Sequence, residues 1–284
     1  MKKRIISGVV MGVIVALVLV LGLEVENLII NAFLSIIAAV AVFELVVNAA
    51  KLNGLLWSLL PSVFAAVMVW LYSDTNTQIY QLFTTDYLYS DLIAPVAMIV
   101  VSVLYVIACA VLILVKQEDF DLAKIAVVCG MPMIVAYAFS TIGSIIISAG
   151  GIYYLLLVLN FACVCDMGAY FVGVKFGKTK LCPQISPNKT IEGALGGIAS
   201  SMVVSVIITL CFGYYGKILP TLLLTIPLCA AGMTGDLFAS IIKRKVGIKD
   251  YGNLIPGHGG VLDRVDSVLF ISPLVFCLIL LGVL

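Results

Sequence analysis

Long apolar segments constrain the fold of this chain more than any other feature of its sequence. A segment of roughly 20 apolar residues crosses the hydrocarbon core of a bilayer as a helix. A helix also satisfies its own backbone hydrogen bonds, which lipid requires. Nine such segments are predicted, at about 5–23, 28–50, 55–73, 92–115, 125–148, 152–174, 194–214, 218–242 and 262–284.

The composition agrees with a chain that is solvated by lipid. Hydrophobic residues make up 63% of the 284 residues and charged residues 11%, which is too little charge to cover a soluble domain. The net charge of +1 offers no bulk attraction for nucleic acid. The first apolar run exceeds the usual signal-peptide core of about 7–15 residues, so we predict a retained span. The predicted fold class is therefore all-α, a polytopic integral membrane protein of about nine transmembrane helices.

Basic residues follow a one-sided pattern across the predicted loops. If the N-terminus lies inside, the inner loops carry almost every Lys and Arg, and Lys217 is the exception. Positive residues concentrate on the cytoplasmic side of a membrane. The pattern predicts a multi-pass protein of the cell (inner or plasma) membrane whose C-terminus lies outside.

The two halves of the chain differ in their polar content. Residues 1–150, about five predicted spans, hold few polar residues within spans, and Glu44 is the main exception. Residues 151–284 contain nearly all the groups that could do chemistry, in loops on the predicted cytoplasmic side. We predict an N-terminal transmembrane region followed by a C-terminal catalytic region whose co-substrate is soluble.

Four polar residues share a face near the inner end of the eighth predicted span. At 3.6 residues per turn, that face carries Asp236, Ser240, Lys243 and Arg244. An acid at the centre of a span costs about 2.5–3.5 kcal/mol, so we expect Asp236 to face a partner or a wet cavity. The alternative is that it pairs with Lys243 or Arg244, which would anchor the helix end.

A glycine-rich loop leads from that span into the last one. Its four glycines, including Gly259 and Gly260, let backbone N–H groups approach an anion closely, and Lys249 opens the loop. Asp263 and Asp266 follow on one face of the next helix. Their carboxylates are hard oxygen ligands that suit Mg²⁺ and its bound phosphates. The alternative is that both acids only cap the helix N-terminus.

The third polar region runs from the sixth predicted span into the seventh. Asp166 and Tyr170 lie one turn apart, and the Ser-Pro-Asn-Lys-Thr segment at 186–190 is predicted to be a rigid turn. Lys189 is placed as a phosphate-binding cation. Thr190 is a candidate N-cap with Glu192 in the first turn of the helix, and capping is the alternative to a binding role.

No Walker loop and no nucleophile–His–acid series occurs in the sequence. The single histidine, His258, could act as an acid or a base. The eight cysteines are scattered through apolar runs, so a zinc site is not expected. Phosphoryl transfer depends mostly on positioning and charge stabilisation. Paired acids with several Lys and Arg therefore indicate a phosphate-rich substrate, and the membrane setting indicates a lipid as the second one.

These motifs resemble the phosphatidate cytidylyltransferases, also called CDP-diacylglycerol synthases. The family signature reads Ser-x-x-Lys-Arg, four residues, Lys-Asp, a glycine-containing loop and His-Gly-Gly-x-x-Asp-Arg-x-Asp. Every spacing is kept here, from Ser240 to Asp266. The upstream Asp-x-Gly-Ala-Tyr and Ser-Pro-x-Lys-Thr-x-Glu-Gly stretches also match. The resemblance is clear over about 155–275 and departs at Val174, where many members carry a basic residue.

The resemblance implies a Mg²⁺-dependent homodimeric enzyme that converts CTP and phosphatidate to CDP-diacylglycerol and pyrophosphate. The site would face the cytoplasm and open to the lipid bilayer. It implies Asp236 and Asp263 as metal ligands, with K⁺ as a possible second cation. The residues expected in catalysis are Asp236, Lys243, His258, Asp263, Arg264 and Asp266. The residues expected to bind substrate are Asp166, Tyr170, Ser186, Asn188, Lys189, Thr190, Ser240, Arg244, Lys249, Gly259 and Gly260.

Two other functions stay open at this point. A CTP-dependent polyprenol kinase would transfer the γ-phosphoryl group instead, and the full Asp-Arg-x-Asp signature disfavours it. An ion-coupled transporter would use the intramembrane acids as its pathway. A transporter gains little from basic clusters and glycine loops on one membrane face only.

Overall fold

The computed structural model describes residues 27–52, 54–84, 93–116, 120–255 and 259–284. The chain forms two compact units, which are described separately. The first comprises the chain up to Ile147 together with Val246–Arg264, and the second comprises Ser148–Lys245 and Val265–Leu284. The glycine-rich loop therefore belongs to the same unit as the N-terminal helices. The sequence-based division at residue 150 concerned catalytic roles and stays a prediction.

Five helices build the described N-terminal part of the first unit. They are α1 (Asn27–Glu44), α2 (Leu55–Thr84), α3 (Ile93–Val115), α4 (Leu122–Cys129) and α5 (Met131–Ile147). A π-helical turn extends α1 to Ala49. Asp121 begins α4 by accepting a hydrogen bond from the Lys124 backbone N–H at 2.7 Å. Helices α4 and α5 together correspond to one predicted span.

The core of the first unit lies where α1, α2 and α5 pack against one another. Apolar side chains fill it, among them the buried Ala38, Val42, Met68 and Phe139. Polar pairs also cross it. The Ser73 hydroxyl donates to Asn31 Oδ1 at 3.2 Å, and Asn76 Nδ2 donates to Ser140 Oγ at 3.3 Å. Such pairs stabilise helix contacts in lipid because each polar group finds its partner inside the protein.

Helices also dominate the second unit. They are α6 (Gly151–Leu159), α7 (Cys165–Phe176), α8 (Ile191–Cys211), α9 (Ile218–Val246) and α10 (Leu262–Leu280), whose first residues belong to the first unit. A π-helical turn, Asn160–Val164, joins α6 to α7. A 3₁₀ turn, Tyr215–Lys217, precedes α9.

A short hairpin interrupts the helices between α7 and α8. Strands β1 (Lys180–Cys182) and β2 (Ser186–Thr190) pair antiparallel, with Lys180 opposite Thr190 and Cys182 opposite Ser186. The prediction of a rigid turn at 186–190 was wrong, because these residues form β2. The segment has no alternating apolar pattern of its own, so its strand conformation comes from pairing with β1. The all-α class is confirmed for the membrane-spanning part.

Glycines allow α7 and α8 to pack closely. A Cβ atom added at Gly197 would lie 2.6 Å from the Cys165 carbonyl oxygen, and one at Gly193 would lie 2.7 Å from the Ala169 carbonyl oxygen. Both distances are far shorter than a van der Waals contact. Small residues are used in this way in membranes, where helices associate by backbone approach rather than by the hydrophobic effect. The contact fixes the start of α8 against α7.

Seven helical segments of the described chain are long and apolar enough to span a bilayer. They are Leu28–Ala49, Leu55–Ile79, Ala94–Val115, Leu122–Ile147, Gly151–Phe176, Ile191–Cys211 and Tyr215–Val246. These correspond to the second to eighth predicted spans and confirm a polytopic membrane protein. The first predicted span, 5–23, lies outside the described residues. The ninth forms α10, which has three charged residues near its start, so the count of nine stays a prediction.

The glycine contact predicts a specific loss of stability. In Gly197→Ala, the new methyl group must push α7 and α8 apart, and we expect the free energy of unfolding to fall by about 1–3 kcal/mol. Thermal unfolding of the detergent-solubilised protein, followed by circular dichroism, measures this. Gly216→Ala is the matched control, because a Cβ at Gly216 meets nothing within 4 Å. Equal unfolding midpoints for the two variants would contradict the close approach.

Candidate active site

A cavity of about 260 Å³ lies within the second unit. Helix α7, the hairpin, the first turn of α8 and the C-terminal half of α9 surround it. Seven of the residues predicted for the site line it, which brings two of the three sequence motifs together. The lining residues are Asp166, Ala169, Tyr170, Leu181, Ser186, Asn188, Lys189, Thr190, Ala194, Met233 and Asp236.

Helix α7 presents one face to this cavity. Asp166, Ala169 and Tyr170 are spaced i, i+3 and i+4, so their side chains lie on the same side of the helix. Asp166 and Tyr170 are exposed. An acid and a phenol therefore line the cavity, and the substrate-binding role predicted for both residues stays a prediction.

The hairpin is held in place by the start of α8. Thr190 ends β2, and its hydroxyl accepts a hydrogen bond from the Gly193 backbone N–H at 3.1 Å. The Glu192 carboxylate accepts hydrogen bonds from the backbone N–H groups of Lys178 and Thr179, each at 3.1 Å. The predicted N-cap is confirmed, and it coexists with a place for Thr190 in the cavity wall. The capping contacts fix where β2 delivers Lys189.

An ion pair between Lys189 and Asp236 lies in the cavity wall. Both side chains are about one-quarter exposed, at 26% and 25%. A charged group in this half-buried setting requires a partner, since desolvation is costly. The partner of Asp236 is thus the hairpin lysine, Lys189. The sequence analysis had considered Lys243 or Arg244 as its partner. Both residues of the ion pair line the cavity, although the Lys189 Nζ atom itself is buried.

Further charged residues lie near this pair. Asp266 on α10 is within electrostatic range of Asp236, Asp166 and Lys243. Its Oδ1 atom accepts a hydrogen bond from the Ser267 backbone N–H at 2.8 Å. The second unit therefore surrounds one region with acids from three helices and a lysine from α9. This arrangement of hard oxygen atoms and ammonium groups is suited to a phosphate ligand with its cation.

Other predicted site residues in the second unit lie outside the cavity wall. Ser240, Lys243 and Arg244 follow Asp236 along α9, and none of the three lines the cavity. Arg244 is exposed, and Ser240 is partly exposed. Their predicted roles in phosphate binding remain predictions.

Asp263 lies in the first unit, where it organises the glycine-rich loop. The residue is 8% exposed, and its Oδ2 atom accepts hydrogen bonds from the backbone N–H groups of Tyr251 at 2.7 Å and Gly260 at 3.0 Å. Gly259 has φ +89°, a left-handed conformation that favours glycine. The Asp263 carboxylate therefore closes the loop. Metal binding by Asp263 together with Asp236 stays a prediction.

The remaining predicted residues of the loop are solvent-accessible or not described. Lys249 and Arg264 are exposed, as expected for side chains that would reach a phosphate. His258 lies outside the described residues. Its suggested role as an acid or a base stays a prediction.

Sequence reasoning missed several residues of the cavity wall and one near the loop. Ala169, Leu181, Ala194 and Met233 line the cavity, but small and apolar residues carry no chemical signal in a chain this hydrophobic. Glu44 contacts the glycine-rich loop. Glu44 stood out in the sequence as the main polar residue within the N-terminal spans. No sequence pattern, however, connected it with the glycine-rich loop.

The fold and the site define a polytopic membrane protein with a charged, ligand-sized cavity beside a hairpin. The model of the cytidylyltransferase family matches residues 2–281. The chain is 31% identical to the phosphatidate cytidylyltransferase of Bacillus subtilis over 294 residues, which cover 99% of this chain and 98% of that protein. The chain therefore belongs to the cytidylyltransferase family, as the resemblance of its motifs predicted.

Other relatives match part of the chain more strongly. The chain is 45% identical to the phosphatidate cytidylyltransferase of Staphylococcus epidermidis over 130 residues, which are 46% of this chain and 50% of that protein. The corresponding protein of Staphylococcus aureus is 42% identical over the same length. The similarity to these relatives is thus concentrated in about half of the sequence.

Proposed function

We propose that this protein transfers a cytidylyl group from CTP to phosphatidate and forms CDP-diacylglycerol and pyrophosphate. The observation that carries the proposal is the cavity in which Lys189 and Asp236 meet. The cavity combines an ammonium group that can bind phosphate with a carboxylate, and the helices beside it are apolar enough to lie in lipid. Full-length similarity to a phosphatidate cytidylyltransferase supports the choice of substrates.

The reaction is a displacement at phosphorus. A phosphate oxygen of phosphatidate attacks the α-phosphorus of CTP, the new P–O bond forms, and the bond to the β-phosphate oxygen breaks to release pyrophosphate. Negative charge grows on the leaving group during this step. Fixed cations stabilise such charge without reorganisation. The proposed cation for this role is Lys189, which lines the cavity, and Lys243, Arg244 and Arg264 are the further candidates.

Substrate binding is expected to change the partners of both charges in the Lys189–Asp236 ion pair. In the ligand-free cavity the two groups neutralise each other. A triphosphate gives the Lys189 ammonium a multiply charged partner, which binds it more strongly than one carboxylate does. The Asp236 carboxylate then needs a new cation. The pair is therefore expected to separate when substrate binds.

The oxygen donors of the site fit Mg²⁺. Asp236 and Asp166 line the cavity, and Asp266 lies within electrostatic range. Within the described ranges, no group of three or more His, Cys, Asp or Glu residues forms a metal cage. Mg²⁺ does not need one, because it binds through one or two carboxylates together with water and substrate phosphates. When bound, Mg²⁺ would neutralise charge on the phosphates.

Asp236 is the proposed metal ligand in the cavity, and Asp263 is its predicted partner from sequence. The homodimer and a second cation such as K⁺ are proposed from the family resemblance alone. We propose that this protein lies in the plasma membrane, because the relatives named above are bacterial. We further propose that the site faces the cytoplasm, which supplies CTP, since nearly all Lys and Arg lie in loops of that predicted side.

Labelled substrates test the proposed reaction. Purified protein is incubated with phosphatidate and CTP labelled at either the α- or the γ-phosphate. The proposal requires α-label in a CDP-lipid together with released pyrophosphate. Appearance of γ-label in lipid with release of CDP would instead identify a CTP-dependent lipid kinase. Absence of any labelled lipid would overturn both.

Removing a carboxylate that binds the metal should reduce the rate strongly. We expect Asp236→Asn and Asp263→Asn to lower turnover by about 100-fold or more, because each keeps the side-chain size but loses the charge. Mg²⁺-dependent CDP-lipid formation is measured for both variants in one detergent preparation. Asp121→Asn is the matched control, since Asn is an equally good N-cap for α4. A wild-type rate and Mg²⁺ dependence in either variant would remove that residue from the metal site.

Loss of the hairpin lysine should weaken catalysis without preventing insertion. For Lys189→Met we expect turnover to fall by about 10- to 100-fold, as for loss of a charge-assisted hydrogen bond of about 1.5–3 kcal/mol. Lys180→Met, on the neighbouring strand and outside the cavity, should keep the wild-type rate. Thermal unfolding is recorded for both, because Lys189→Met also leaves Asp236 unpaired. Near-normal activity of Lys189→Met would show that Lys189 only anchors the fold.

The orientation of the chain can be tested separately. A reporter that is active only outside the cytoplasm, fused after Leu284, should be active, and the same reporter fused after Lys249 should be silent. These outcomes follow from the distribution of Lys and Arg over the loops. A cytoplasmic C-terminus would refute the predicted topology and remove the support for a cytoplasmic site.

A further inference from the structure

Glu44 is a buried carboxylate at the C-terminal end of α1, in the first unit. It is 5% exposed, and its Oε2 atom accepts a hydrogen bond from the Leu262 backbone N–H at 3.2 Å. Leu262 begins α10, where backbone N–H groups have no partner within the helix. Glu44 therefore supplies an acceptor to the helix that carries Asp263, although 218 residues separate the two bonded residues.

Two glycines of the loop are packed directly against this carboxylate. A Cβ atom added at Gly252 would lie 2.2 Å from Glu44 Oε1, and one at Gly260 would lie 2.4 Å from Glu44 Oε2. The three nearest atoms to each added Cβ all belong to Glu44. The absence of side chains at both positions thus makes room for the Glu44 carboxylate. Any displacement of the loop would change the contacts of that carboxylate.

A second residue of the N-terminal helices holds the same loop. Asn48 Nδ2 donates to the Tyr251 carbonyl oxygen at 2.5 Å, and the Tyr251 side chain is 1% exposed. The backbone N–H of Tyr251 donates to Asp263 Oδ2. A continuous path of hydrogen bonds therefore runs from Asn48 through Tyr251 to the Asp263 carboxylate. Glu44 contacts the other end of the loop, at Leu262.

We propose that Glu44 is a positioning residue, which orients Asp263 by fixing the described parts of the glycine-rich loop (residues 249–255 and 259–263) to the N-terminal helices. This inference rests on the proposed function in one respect, which is that Asp263 is assumed to be important for catalysis. It gives the N-terminal spans a part in the site, beyond anchoring the protein in lipid. Because Glu44 Oε1 is buried with no hydrogen-bond partner among the described residues, the contact is maintained at a cost in solvation.

Hydrogen exchange of the metal-free protein tests the positioning directly. In Glu44→Ala, we expect amide exchange in peptides covering the glycine loop to become about tenfold faster or more, because a hydrogen bond to a charged acceptor is lost. Peptides from α8 should not change. Asn76→Ala is the matched control, since it removes a buried polar contact of the same unit that does not involve the loop. Unchanged loop exchange in a folded Glu44→Ala protein would overturn the proposal.

A double-mutant cycle identifies the contact itself. Gly252→Ala forces a methyl group onto the Glu44 carboxylate, so it should accelerate loop exchange in the wild-type background. In the Glu44→Ala background the same change should have little further effect, because the clash is gone. Equal effects in both backgrounds would contradict the contact. If Glu44→Ala does not fold, Glu44→Gln takes its place in the exchange measurement, where loss of the charge alone should produce a smaller acceleration.

Enzyme assays separate positioning from mere stability. Glu44→Ala should raise the Mg²⁺ concentration needed for half-maximal CDP-lipid formation, whereas Asn76→Ala should lower thermal stability without changing that concentration. An equal Mg²⁺ requirement in both variants would indicate a structural role only. A wild-type protein that forms no CDP-lipid would refute the proposed function, yet the exchange result would still decide whether Glu44 positions the loop.

Discussion

The structure depends on one constraint, which is that lipid offers no hydrogen-bond partner to a polar group. A polar side chain within the spans is therefore costly unless another part of the protein binds it. Asn160 follows this rule at its Nδ2 atom, which donates to the Ser201 carbonyl oxygen at 3.0 Å and to Ser205 Oγ at 2.9 Å. Its Oδ1 atom is buried with no hydrogen-bond partner among the described residues. Charged groups obey this rule more strictly. Lys189 and Asp236 form an ion pair in which each side chain is only about one-quarter exposed, at 26% and 25%, so each charge has an opposite charge beside it.

The same constraint explains how the cavity is assembled. Glycines let α7 and α8 approach closely, and this approach fixes the first turn of α8. Thr190 and Glu192 then tie the hairpin to that turn through hydrogen bonds to backbone N–H groups. The position of Lys189 thus follows from helix packing and not from the hairpin alone. A flexible lysine becomes a defined cation because its backbone is held at both ends of the strand.

The sequence predicted which polar residues lie together better than it predicted their contacts. The apolar segments predicted the spanning helices, and a Thr followed by Glu two residues later predicted the N-cap of α8. Seven predicted residues meet in one cavity. The partner of Asp236 was not predicted, because helical spacing favours neighbours on the same helix, whereas Lys189 comes from a strand. The strand itself was missed because its residues show no apolar alternation.

The sequence by itself determined that the chain is a membrane protein of the cytidylyltransferase family, since hydrophobic length and motif spacing are local properties of the chain. Tertiary structure alone decided which charges neutralise one another and which helix supports the glycine loop. Glu44 and Leu262 lie at opposite ends of the sequence, and their hydrogen bond exists only after α1 has packed. Such contacts cannot be derived from local pattern, because the free energy of burying a charge depends on whatever the fold places beside it.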